Sequence, residues 1–359
     1  MFLSFGIRFL ANVEALNMVE SVGNLSKHRR APIIVPTESG FKLVYVPAIS
    51  GESIGHAYQQ ALVDTSQNIY GIEKAPLDDW SLRGEFFKFG DTKHMPQQLK
   101  ELLENEKVNK KDLPNIIEFK HNIEKEAIKC SIIVDVGGFL LAGVVPVRRT
   151  SLFQVGYAIP VYDELKNTVI ESQFHVRQVV SESIKTNEME TSQVGNVQKN
   201  VREAQMIYYV EAASAIYGLT FNLNLDGIGR TSMVRAEDVV NNDERMRRVK
   251  AAILALATML SNMNFGGKRS RYLPIEEILT MVVVISRKKP FIVSPPQWRS
   301  FPEDTARRLE AYRQLLAKLN MEFFVDGIAF SKEVELPAIF QKVSSTEELF
   351  AKLVEKVFS

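Results

Sequence analysis

The apolar pattern of this 359-residue chain comes in short blocks separated by long polar stretches, so its fold must be assembled across interruptions. In the first block Phe5, Ile7, Phe9, Ala11 and Val13 fall on one face, and Ser4, Gly6, Arg8, Leu10, Asn12 and Glu14 on the other. A period of two predicts a strand with one core face and one mostly polar face. Residues 17–31 read as a loop, with Gly23-Asn24 in its middle and Lys27-His28-Arg29-Arg30 near its end. After an extended piece at Phe41–Val46, a helix opens at Ser50, with Ile54, Ala57, Tyr58, Ala61 and Leu62 inward and Gly55, His56, Gln59 and Gln60 outward.

Ser66–Glu126 is charge-rich with weak periodicity and reads as an insertion. The apolar run Ala127–Val145, broken by Gly137-Gly138, reads as a buried strand pair, and Arg148–Glu203 as an excursion from the core. Within that excursion Thr186–Asn200 is polar enough to be mobile. Ala204–Asp226 resumes the sheet, Glu244–Met263 has helical spacing, and Leu279–Ser286 reads as a buried strand. Strand, helix, strands, helix, strand is the order of a split βαβ unit, an α+β, ferredoxin-like class. Amphipathic helices follow at about Asp304–Asn320 and Thr346–Phe358, the second with Ser345 and Glu348 at capping-box spacing.

Composition removes several function classes. One cysteine, Cys130, cannot make an intramolecular disulfide framework and fits a reducing cytoplasm. No stretch reads as a membrane span, and Arg8 inside the apolar start argues against a secretory signal. His28, His56, His94, His121 and His175 lack the spacing of a zinc site. The net charge of +1 hides segregation, because Lys268, Arg269, Arg271, Arg287, Lys288 and Lys289 face only Glu276 and Glu277 between Asn262 and Pro290.

The densest chemistry lies in Gly266, Gly267, Lys268, Arg269, Ser270 and Arg271, between a helix and a strand. Glycines let a main chain approach a ligand, and three close cations call for an anion between them. A nucleotide P-loop needs the opposite order, strand into helix. A helix-capping glycine followed by solvated charges explains the glycines as well. Three other segments offer phosphate donors: Lys27 to Arg30, the helix start at Ser50, and Arg148-Arg149, with Arg8 and Asn12 on the polar face of the first strand. A plain Ser50 N-cap with Glu52 in the first turn accounts for the helix start equally well. If the chain were instead a metal-independent endoribonuclease, His28 or His56 would be its general acid–base group.

Together the segments IRFLANVEALNMVESVGNLSKHRRAP (7–32), YVPAISGESIGHAYQ (45–59), DVGGFLLAG (135–143), PVRRTS (146–151), QFHVR (173–177) and NFGGKRSRYLP (264–274) resemble, in order and spacing, the archaeal type I-A members of the CRISPR-associated DevR-type superfamily. Those proteins are the repeated backbone subunit of the Cascade surveillance complex. The resemblance implies an RRM-like palm at residues 1–65, 127–147 and 204–300. It also implies inserted fingers at 66–126, a protruding thumb hairpin at 148–203, with its tip within Ile184–Asn200, and a helical extension at 301–359 packed on the palm. The implied role is non-catalytic and without cofactor or metal: copies stack head to tail along the spacer of a CRISPR RNA, with other Cascade subunits, and present it for pairing to a target DNA strand. The RNA groove so implied takes in Arg8, Asn12, Asn17, Asn24, Lys27, His28, Arg29, Arg30, Ser50, Gly51, His56, Arg148, Arg149, His175 and the loop from Gly266 to Arg271. The aromatic signature of base-stacking RRM sheets is missing, so the sheet face is not the expected RNA platform. A nucleic-acid-binding autoregulator that does not assemble remains the third reading.

Overall fold

The computed structural model describes residues 1–105, 113–142, 145–182, 201–322 and 324–359; the expected tip of the excursion, 184–200, lies outside them. The first alternating block forms β1 (Phe2–Glu14). Residues 17–31 are not a loop: β2 (Met18–Val22) and β3 (Leu25–His28) form a hairpin across Gly23, whose φ of 57° suits the turn. β4 (Arg30–Thr37) and β5 (Gly40–Pro47) make a second, separate ribbon.

Helix α1 (Gly51–Tyr70) starts where its spacing places it but buries Gly55 and Gln59, which were expected outward. Its neighbours explain this, since Phe153 packs on Gly55 and Gly137 on Gln59. The insertion contributes α2 (Asp79–Leu82), α3 (Gln97–Asn105) and α4 (Leu113–Cys130). The apolar run that reads as a strand pair instead ends α4 and forms α5 (Ile132–Gly137), followed by the small ribbon β6 (Phe139–Leu141) and β7 (Val147–Arg149). Asp135 tips the balance: helical backbone aims its carboxylate at Arg149, Arg248 and the Gly229 N–H, all inside the protein.

β8 (Phe153–Val155), β9 (Ile159–Pro160) and β10 (Val169–Glu182) each pair with β11 (Val201–Asn224), a 24-residue strand. Its C-terminal half lies in the core against β1, and its N-terminal half runs out with β10 as a two-stranded arm. Then come α6 (Asn242–Ser261), β12 (Ile275–Arg287), α7 (Phe301–Lys318), β13 (Phe324–Ser331), β14 (Gln341–Lys342) and α8 (Thr346–Phe358). The fold is mixed α+β, built on one large sheet in the order β14-β13-β12-β1-β11-β3-β2. Among the described residues no helix is long and apolar enough to cross a membrane.

Both faces of that sheet's central strands are covered. Leu3, Phe5, Ile7, Phe9 and Ala11 of β1 pack with α1, α6 and α8, as alternation predicts. The mostly polar face lies under α7 and the segment before it: a Cβ on Gly6 would come within 2.9 Å of Phe301, and Ser4 and Arg8 are buried. The alternation also breaks before its end. A bulge between Ala11 and Glu14 turns Val13 out, at φ 54°, and sends the Glu14 carboxylate inward.

Candidate nucleic-acid interface

That bulge creates the junction on which the site rests. Glu14 Oε2 accepts the Leu16 N–H at 2.7 Å and fixes the chain leaving β1. From there the Leu16 carbonyl accepts the Gly267 N–H at 2.6 Å, the Asn17 carbonyl accepts the Arg29 N–H at 2.7 Å, and Asn17 Oδ1 accepts the Ser50 N–H at 2.9 Å. Two residues thus draw together the basic segment at 27–30, the start of α1 and the glycine loop, which are far apart in sequence. Gly266 is required there: its φ is 82°, and a Cβ would lie 2.6 Å from the Leu16 Cβ. The glycines therefore neither cap α6, which ends on Asn262, nor offer the Gly267 N–H to an anion.

Several expected donors are committed inside the protein. Arg8 is fully buried, with Nε 2.7 Å from Glu333 and its Nη atoms 3.1 Å from Asp163, which removes it from any groove. Arg149 is buried as well, donating to Asp135 Oδ1 at 2.6 Å, to Glu124 and to three carbonyls. Arg248 holds the other Asp135 oxygen at 2.9 Å, so this ionic cluster ties α5, β7 and α6 together. Arg269 grips Glu276 with both Nη atoms, at 3.0 and 2.7 Å, and bonds the Met263 and Phe265 carbonyls, so it braces the loop from within. Gly51 sits beneath the Val155 carbonyl, 2.6 Å from where a Cβ would be, and Ser50 is buried with Oγ accepting the Ser53 N–H. The plain N-cap explanation holds for that helix start.

His28 is also inside. Its Nδ1 contacts the Arg29 carbonyl at 2.8 Å, and its Nε2 lies 2.7 Å from Glu14 in an ion pair whose alignment falls short of a hydrogen bond. Burial pushes its pKa down, but Glu14, the Arg29 carbonyl and Glu211 together outweigh burial and leave the pKa above the ordinary histidine value. A 2% exposed imidazole has no path to a substrate, which disfavours general acid–base chemistry at this residue. Arg29 is half-buried.

The remaining residues stay at the surface. Lys27 is half-exposed beside Glu20, Arg30 pairs with Glu211 while half-exposed, Arg148, Asn24 and His56 are exposed, and Asn12 and Asn17 are half-buried. In the loop Gly267, Lys268, Ser270 and Arg271 are exposed, with Lys268 in the left-handed region at φ 52°. Lys268 and Arg271 face the arm across a hollow of about 550 Å³, lined also by His175, Tyr208 and Tyr272. His175 stacks on Tyr208 at 5.1 Å and meets the Tyr272 ring edge-on, with its Nε2 against the Tyr272 hydroxyl. On the other side of Gly266 and Gly267 a second hollow of about 490 Å³ runs between α1 and α6, lined by Ser53, His56, Gln60 and Asn68.

Sequence reasoning missed Tyr208 and Tyr272. Tyr272 directly follows the loop, a signal that could have been used; Tyr208 becomes visible only through its register opposite His175. Two cations sharing a hollow with one stacked ring pair and an edge-on tyrosine can hold a phosphate and the flat face of a base together.

The family profile described as CRISPR-associated negative auto-regulator DevR/Csa2 matches residues 5–306. The CRISPR-associated aCascade subunit Cas7/Csa2 2 of Saccharolobus solfataricus is 36% identical, over 99% of this chain and 100% of its own length. The CRISPR-associated protein Cas7/Csa2 1 of the same organism is 35% identical over 82% of each chain. A solved chain of a CRISPR RNA-guided surveillance complex, pre-nicking, covers 99% of both chains at 13% identity with a TM-score of 0.47. With a profile match over most of its length, and relatives of this identity, the chain belongs to the CRISPR-associated DevR/Csa2 family, the DevR-type family that its segments resemble.

Proposed function

We propose that this chain is a non-catalytic backbone subunit of a Cascade surveillance complex that grips the sugar-phosphate chain of a CRISPR RNA. The observation that carries this reading is that exposed Lys268 and Arg271 line one hollow with His175, Tyr208 and Tyr272, beside the junction at Leu16-Asn17. Nothing in that constellation reads base edges, as suits a subunit whose guide pairs with target DNA. The reading takes Lys27, Arg30 and Arg148, all at the surface, as further phosphate donors, and His56, Asn12, Asn17 and Asn24 as polar neighbours of the RNA.

In this reading β12-β1-β11 with α1 and α6 is the RRM-like palm, β10 with the outer half of β11 is the thumb, and α2 to α4 are the fingers. Copies line up head to tail on the RNA in the cytoplasm, together with other Cascade subunits. Two unrelated RNAs of equal length should bind with the same affinity within about threefold, and both should weaken steeply with salt. A strong preference for one sequence, or binding indifferent to salt, would contradict the reading. Labelled CRISPR precursor should stay intact; its cleavage, lost in His56→Ala, would support the endoribonuclease instead.

A further inference from the structure

The β4–β5 ribbon pairs with no other strand among the described residues, and only one of its faces is covered. Inward, Ile33, Val35 and Val46 are buried against Ile159, Tyr162 and Leu165. Outward, the cross-strand pairs Pro32–Tyr45, Ile34–Leu43 and Pro36–Phe41 present six apolar side chains in three rows. Tyr45 is 68% exposed, Ile34 62%, Leu43 57%, and Phe41, beside the turn, 80%. That face amounts to roughly 500 Å² of apolar surface at about 200 Å² for each large side chain, near the largest patch a monomer ordinarily leaves open and most of one side of a standard protein contact.

A surface that could receive it lies elsewhere on the molecule. Phe291, Ile292, Ala311, Tyr312 and Leu315 line an open hollow of about 540 Å³ between α7 and the loop after β12, with the Arg308 guanidinium over the Phe291 ring. Ile292 and Leu315 are 44% and 50% exposed. The hollow includes exposed Arg308, whereas the ribbon's turn carries exposed Glu38. Lys42 points to the ribbon's other face, opposite Val35. An apolar face beside an acidic turn is thus matched by an apolar hollow beside a cation.

We propose that the β4–β5 ribbon of one copy docks on the α7 hollow of the next, with Phe41 filling the hollow and Glu38 facing Arg308. The contact is heterologous, so each copy keeps one free ribbon and one free hollow and the array can extend. This inference rests on the reading that several copies line up on RNA, and adds the surfaces by which they touch.

The test compares a short RNA with room for one copy and a long RNA with room for several. Phe41→Asp should bind the short RNA like the wild type, melt at the same temperature, and need at least about tenfold more protein to fill the long RNA, the scale of losing a central aromatic anchor. Glu38→Arg should also impair filling, and Arg308→Glu added to the same chain should restore it. In a Cys130→Ser background, Phe41→Cys with Leu315→Cys should give a ladder of disulfide-linked multimers on oxidation. Normal filling by Phe41→Asp, no rescue by the double charge reversal, or a ladder that stops at dimers would each overturn the docking. Failure of the wild type to bind even the short RNA would instead overturn the RNA-binding reading.

Discussion

Lys268, Arg269 and Arg271 carry the same charge within four positions, and the structure gives them different work. Arg269 is tied to Glu276 and two carbonyls, whereas Lys268 and Arg271 face the hollow. Arg269→Ala should cost about 2 kcal/mol of stability; Lys268→Ala with Arg271→Ala should leave the melting temperature within a degree or two. Thermal unfolding of both variants checks this, and equal destabilisation by the two would contradict the division. His28 makes a second residue-scale prediction. Its pKa is raised in the folded state, so the stability it contributes is complete below the unfolded value of about 6.5 and is lost as pH rises through the folded value. Urea midpoints measured from pH 6 to 9 should fall in the wild type and lie flatter in His28→Gln. A wild-type profile as flat as the variant's would mean that His28 is not held as a cation.

Among the elements, the long periodic ones were legible and the short apolar ones were not. Thr346–Phe358 forms a helix over its expected residues, with Ser345 Oγ accepting the Glu348 N–H, and Glu244–Met263 lies within two residues of α6. Ile132–Gly137 read as strand because a six-residue apolar run has no period long enough to separate helix from strand, and its deciding partners, Arg149 and Arg248, are distant in sequence. The same blindness covers the cations of the site. Its place on the polar face of β1 suggested Arg8 as a phosphate donor, but its carboxylate partner Glu333 is 325 residues away and invisible to any local window. The glycine loop was legible as a special backbone; the partner that Gly266 must approach, Leu16, was not. Two element-scale outcomes follow. Gly266→Ala should cost about 2–4 kcal/mol from strain and overlap with Leu16. Asp135→Asn should cost about 3–5 kcal/mol by leaving Arg149 and Arg248 buried with half their charge partner gone. Urea unfolding with an unchanged slope would read both, and losses under 1 kcal/mol would contradict the packing described.

For the whole molecule, the central strands are covered on both faces, and the function we propose puts binding at the seam where the arm, the glycine loop and the β2–β3 hairpin meet. Both sides of the central strands serve stability, one under α1, α6 and α8 and the other under α7, whereas the outer strands at the seam keep exposed side chains. A strand lying along that seam would touch Lys268 and Arg271 through its phosphates and the His175–Tyr208–Tyr272 rings through its bases. The most direct measurement is the slope of log binding constant against log salt concentration for single-stranded RNA, compared between the wild type and the Lys268→Ala, Arg271→Ala double variant. Two phosphate contacts on a single strand account for a slope difference of about 1.4. A shallower slope by that amount, at unchanged thermal stability, is the expected result; an unchanged slope would mean that the loop does not touch the RNA backbone and that the seam is not its binding site.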